Sequence, residues 1–152
     1  MSSPSIAVVD ALNSLLEAEA NSIFHFVGPG SPYVASADIH VREPLEEFSR
    51  HLDRHQRELS ELIRKLGGTP AHPPLPDPED QYLSFLSLKF LLPKLVESKE
   101  LMIQRHQSVL NMIQADPEVM QLLQRHTDEM QSDLTILKRV ADLVAGGTGR
   151  PT

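Results

Sequence analysis

The sequence predicts an all-α fold: an antiparallel four-helix bundle with one long crossover between its second and third helices. Three observations carry that reading. Apolar residues recur in steps of three and four through four long segments, the period of an amphipathic helix. No segment reads as a convincing strand. The breaks between segments run short, long, short, and the long one holds five of the twelve prolines.

The first helix spans about Ser5 to Val27, with an inward stripe of Leu12, Leu16, Glu19, Ile23 and Phe26. Gly28, Pro29, Gly30 and Pro32 stop it. After the loop SPYVASADIH a second helix runs from Val41 to Leu66, with Pro44 in its first turn and Gly67-Gly68 suited to a left-handed cap. The stretch GGTPAHPPLPDPEDQ, residues 67–81, is too proline-rich to pack as a helix and long enough to cross the length of a bundle. The third helix covers Tyr82 to Ile113, and Pro93 should kink it or detach Tyr82–Leu92. Asp116 reads as an N-cap with Pro117 at the first helical position of a fourth helix that ends near Val144. One bundle domain, residues 5–145, follows, with residues 1–4 and the tail 146–152 expected to be disordered.

The bulk numbers remove whole classes of function. The chain of 152 residues is 40% hydrophobic and 23% charged, enough for one domain with a real core. Its formal charge is −7, which offers no basic field to nucleic acid or to an anionic membrane surface. No apolar run reaches the roughly 18–20 residues of a membrane span. The start, MSSPSIAVVD, lacks a basic region followed by a long apolar stretch, so a cytoplasmic location is expected. With no cysteine, any metal would need oxygen and imidazole ligands. GxSxG, a glycine-rich phosphate loop and HExxH are all missing.

Chemistry is to be sought where polar residues interrupt the stripes. In the second helix the line is Leu45, Phe48, Leu52, His55, Leu59, Leu62, Leu66, so His55 points where leucine belongs. Glu19 interrupts the first helix, whereas Glu17 is turned away by about 200°. The third helix has Leu92, Val96, Glu100, Ile103, Gln107 and Leu110 on one line, and Met102, His106, Val109 and Ile113 on an adjoining one. The fourth has Val119, Leu123, His126, Met130, Leu134 and Leu137, with Glu129 beside His126. His51, Glu58 and Glu97 read as surface or boundary residues, and His25, His40 and His72 as solvated loop residues. Buried carboxylates and imidazoles are costly alone, so they are paired, neutral or metal-bound.

Two segments add a resemblance. LNSLLEAEANSIFHF, residues 12–26, resembles the first helix of bacterioferritin-type proteins, and places Glu19 at a ligand glutamate. RHQRELSELIRKLGGTP, residues 54–70, resembles their second helix and places His55 at a ligand histidine, 36 residues on (55 minus 19). YLSFLSLKFLLPKLVESKE, residues 82–100, is similar to bacterial ferritin-like domain proteins of about this length. The resemblance implies a ferritin-like bundle with a metal site of Glu19, His55, Glu100, His126 and Glu129, holding iron, manganese or zinc. It also departs from the family. Leu52 stands where a glutamate precedes the histidine by three, and HTDE, residues 126–129, inverts the fourth-helix Glu-x-x-His. An altered site serving metal handling or oxidative-stress response is the first expectation. A metal-free scaffold or interaction module, its interior His and Glu hydrogen-bonded to one another, is the alternative, and an oxidase or oxygenase comes third. Without a fifth helix of the cage-building kind, a monomer or homodimer is expected rather than a shell.

Overall fold

The computed structural model describes residues 2–20, 39–71, 88–113 and 116–145, with side chains of the first helix from Ile6 to Glu19. Four helices account for nearly all of it: α1 Ser2–Ala20, α2 Ile39–Lys65, α3 Leu88–Met112 and α4 Pro117–Ala145. Ile23 and Phe26 of the predicted first stripe, His25, the loop up to residue 38, the proline-rich stretch from His72 onward, Tyr82 to Ser87 and the tail 146–152 lie outside the described residues.

Pairs between the helices give their directions. Lys65 meets Glu118, Glu58 meets His126, His55 meets Glu129 and His51 meets Asp133, so numbers fall along α2 as they rise along α4. These two helices are antiparallel. At one end the first residues of α2 and α3 pack together, with Val41, Leu45 and Phe48 against Leu91, Leu92 and Leu95 and the last turns of α4 at Leu137 and Val140. At the other end Leu59, Leu62 and Ile63 join Val109, Ile113, Leu123 and the α1 residues Leu12, Leu15 and Leu16. Thus α2 and α3 run the same way, and α2 ends at the opposite end of the bundle from where α3 begins. This is the geometry a long crossover connects.

Local chemistry explains the boundaries. Gly67 takes φ +88°, its N–H donating to the Arg64 carbonyl at 3.0 Å while Gly68 N–H donates to Ile63 at 2.9 Å. That pair of bonds is the glycine-terminated Schellman end of α2. Asn13 then clamps the departing chain, donating to the Thr69 carbonyl at 3.0 Å and accepting from Ala71 N–H at 2.7 Å. Asp116 Oδ1 accepts from the N–H groups of Glu118 at 3.0 Å and Val119 at 3.3 Å, capping α4 with Pro117 at its first position.

Two expectations about prolines need correcting. α2 begins at Ile39, so Pro44 lies beyond its first turn. α3 continues unbroken through Pro93 from Leu88. In both cases the proline lies near the helix start. Pro93 is exposed, as is Lys89, whose carbonyl loses the i+4 donor; Pro44 is half-buried and the corresponding His40 is exposed. Water can replace one bond there.

Candidate metal centre

Between the two apolar ends lies a polar layer, flanked by Met102, Ile103 and Met130. Every helix contributes one fully buried ionisable residue to it: Glu19 from α1, His55 from α2, His106 from α3 and His126 from α4, none above 2% exposed. The 3.6-residue period places each on the inward line of its helix, in register with buried apolar residues one turn away.

Each imidazole is fixed by a partner outside the centre, and the partner decides which nitrogen is bare. His106 Nδ1 donates to the Met102 carbonyl at 3.0 Å, so its Nε2 lone pair faces inward, 3.3 Å from Glu19 Oε2. His126 Nε2 donates to Glu58 Oε1 at 2.8 Å, which leaves Nδ1 bare. His55 Nε2 donates to Glu129 Oε1 at 2.6 Å, and its Nδ1 lies 3.8 Å from Glu19 Oε1. A carboxylate or carbonyl can only accept, so these tautomers follow from the partners. Orientation of a ligand histidine by a carboxylate on its other nitrogen is how metal sites are commonly built.

Apart from Ser49 Oγ, the buried side-chain atoms left over among the described residues are the inward ones. Glu19 Oε1 and Oε2, His106 Nε2 and His126 Nδ1 are buried and have no hydrogen-bond partner. One ligand atom from each of Glu19, His106 and His126 falls within 4.8 Å of the others. Buried polar groups are nearly always satisfied, so several unsatisfied ones facing one point require an explanation.

Two of the imidazoles, His55 and His126, are biased toward the neutral form that can ligate a metal. Burial, with the His126 ring against it, pushes the His55 pKa down to about 3, despite its bond to Glu129. Burial also lowers His126, with Glu58 opposing. The two rings stack with centroids 4.0 Å apart and an 18° tilt. Such stacking disfavours charging both.

Beyond this layer, toward the α2 start, lies a second polar group. His51 Nδ1 is 2.8 Å from Asp133 Oδ2 and its Nε2 is 3.6 Å from Glu129 Oε2. Arg54 pairs with Glu129. Glu129 is held below the usual carboxylate range: burial would raise it, and its bonds to Arg54 and His55 prevail. Lys99 is buried, 6% exposed; burial lowers its pKa, while the charges of Asp133, Glu19 and Glu129 raise it. Burial raises Asp133, with His51 and Lys99 opposing.

Of the five residues read from the sequence, Glu19 and His126 fall in the cluster, His55 borders it through its stack on His126 and its Nδ1 3.8 Å from Glu19, and Glu129 stands behind His55. Glu100 does not join them. It is partly exposed, its carboxylate 3.4 Å from Lys138 Nζ. His106 supplies the α3 donor in its place. The inward line of α3 is Leu95, Lys99, Met102, His106, Val109 and Ile113, about one residue around from the line that contains Glu100. His51 and Glu58 are boundary residues and Glu97 is exposed, while His40 is exposed at the start of α2.

No family model matches the chain, and no curated protein matches its sequence. Among solved structures, the bacterioferritin of Desulfovibrio desulfuricans superposes with a TM-score of 0.77, covering 94% of this chain and 82% of that one. The fold is ferritin-like. Sequence identity to that bacterioferritin is 17%, and its structure was determined with its diiron site in different catalytic states. A ferritin-like bundle in this chain therefore presents a candidate metal site at mid-length, built from Glu19, His106 and His126. No described helix is long and apolar enough to cross a membrane.

Proposed function

We propose that this protein binds a divalent transition metal in the interior of its bundle and serves in metal handling. Glu19, His106 and His126 would hold the ion, and His55 Nδ1 stands nearest as a fourth donor. The observation that carries the reading is the set of unpartnered atoms: both Glu19 oxygens, His106 Nε2 and His126 Nδ1. A bound cation satisfies all of them at once. The donor set favours iron or zinc over manganese, because imidazole nitrogens outnumber carboxylate oxygens, and it disfavours calcium and magnesium. Such an ion supplies Lewis acidity or, for iron, one-electron chemistry. The ferritin-like fold, shared with a protein whose structure has a diiron site, supports the same reading.

Access is compatible with uptake. Glu58, the partner of His126, also lines an open groove of about 390 Å³ between α2 and α4, together with Glu61, Lys65, Glu118 and Arg125. A cation arriving there is one side chain away from His126.

One observation favours the metal-free scaffold. His55, His126 and His51 already have carboxylate partners. Melting curves separate the two readings. Chelated protein is heated alone and with Zn(II), Co(II), Mn(II) or anaerobic Fe(II). A ligand at a hundred times its dissociation constant adds about 2.7 kcal/mol, and Zn(II), Co(II) or Fe(II) is expected to raise the midpoint while Mg(II) is not. If no transition metal moves the midpoint, the scaffold reading replaces this one.

A further inference from the structure

The interior carries a buried lysine beside the candidate metal centre. Lys99 is on the same inward line of α3 as His106, seven residues earlier. Asp133 lies on the line of His126, seven residues later on α4. Because α3 and α4 are antiparallel, both fall on the same side of the centre, toward the apolar end formed by Leu52, Leu95 and Leu137. His51 precedes His55 on α2 and reaches that layer too. The carboxylates whose charges act on Lys99 are Asp133, Glu19 and Glu129.

These are the carboxylates that a second ion next to the first would have to use. Among the described residues, Glu19 is the only carboxylate with both oxygens buried and unpartnered. Glu129 is taken by Arg54, His55 and His51, and Asp133 by His51. A pair of bridged ions needs a glutamate from each of two helices and Glu-x-x-His from each of the others. This chain has Leu52 at the first such position of α2, and Leu52 is buried in the apolar cluster. The donors present therefore do not fit a dinuclear centre.

Resting on the metal-binding reading above, we infer that the centre takes one divalent ion per chain and that the Lys99 ammonium stands in for the second cation. The lysine neutralises Asp133 and Glu129 from within the bundle. It also repels any further ion placed among them.

The test is a titration of the full, chelated chain with Co(II) under anaerobic conditions, read by visible absorption and by metal analysis after desalting. Wild-type protein is expected to take one equivalent, with the spectrum of an isolated ion. Two spin-coupled equivalents would overturn the inference and leave the metal-binding reading standing. No cobalt at all would overturn both. Lys99→Glu, which puts a carboxylate where the ammonium stood, is expected to retain a second equivalent after desalting where wild type retains one. Lys99→Met, which keeps the length and apolar stem of the side chain, covers the case in which the added carboxylate prevents folding; with the ammonium gone from beside Asp133 and Glu129, it should hold a second, unbridged cobalt that wild type does not. If either variant folds by circular dichroism and stops at one, Lys99 does not exclude the second ion.

Discussion

Replacing Glu19 by leucine should stabilise the metal-free protein and abolish metal binding in one step. Glu19 is 0% exposed, and neither of its oxygens has a hydrogen-bond partner. An unsatisfied buried polar group costs about 1–3 kcal/mol. Leucine removes that group and meets Ala18, Met102, Ile103 and Met130, an apolar set already packed at this level. The expected gain is about 2 kcal/mol. For a domain of this size each kcal/mol is worth about 2–4 °C, so the chelated variant should melt about 6 °C above chelated wild type. Glu19→Gln is the control. It retains the shape but leaves an amide in the same position, and should gain little. Adding Zn(II) reverses the order, since wild type gains about 2.7 kcal/mol at a hundredfold excess over its dissociation constant and the leucine variant gains nothing. The assay is calorimetry or a circular-dichroism melt of four samples. A chelated Glu19→Leu protein that melts below wild type would refute the reasoning, because it would make Glu19 a structural residue. A site kept for function at the expense of stability is a common trade in natural proteins.

Acidification gives a second test. His55, at about 3, and His126, lowered by burial, bind fewer protons folded than unfolded. Stability therefore falls as pH drops below the unfolded imidazole value of about 6.5, and keeps falling toward the folded values. Asp133, raised by burial, works in the opposite sense. The urea midpoint of chelated protein should decline from pH 6.5 to 4.5, and His55→Leu should flatten that decline. At the end of α2, a Cβ on Gly68 would stand 2.6 Å from Val9 Cγ1 and 3.2 Å from Ile63 Cγ2, so Gly68→Ala should cost about 1–3 kcal/mol in urea denaturation. Gly67→Ala meets nothing within 4 Å and pays only for its φ of +88°, about 1 kcal/mol. Asp116→Ala removes the α4 cap, which should lower stability by about 1 kcal/mol in the same assay.

How much of this was legible in the sequence differs from helix to helix. α2 and α4 keep apolar residues on one face, so His55 and His126 stood out as interruptions, and both are buried where the stripe put them. Gly67 and Asp116 mark ends that local hydrogen bonding confirms. α3 was harder to read because its polarity is mixed on both faces. Its interior holds Lys99 and His106, while Phe90, Leu101 and Met112 are exposed. With charges inside and apolar residues outside, two lines one residue apart fit about equally well, and Glu100 lies on the one that turns partly outward. A signal was available: His106 lies on the line with Met102, Val109 and Ile113, all of them buried. Lys99 and Asp133 had no such signal, since a lone charge on a stripe is usually a boundary residue. They compensate each other across two helices, and pairings of that kind are settled by tertiary packing.

The most direct measurement is anomalous diffraction from crystals of the protein grown with Zn(II) or Co(II). One peak per chain is expected about 2.0–2.2 Å from Glu19, His106 Nε2 and His126 Nδ1, the bond lengths of such ligands. A peak only at the surface carboxylates around Glu58 and Glu118, or no peak inside the bundle, would contradict it.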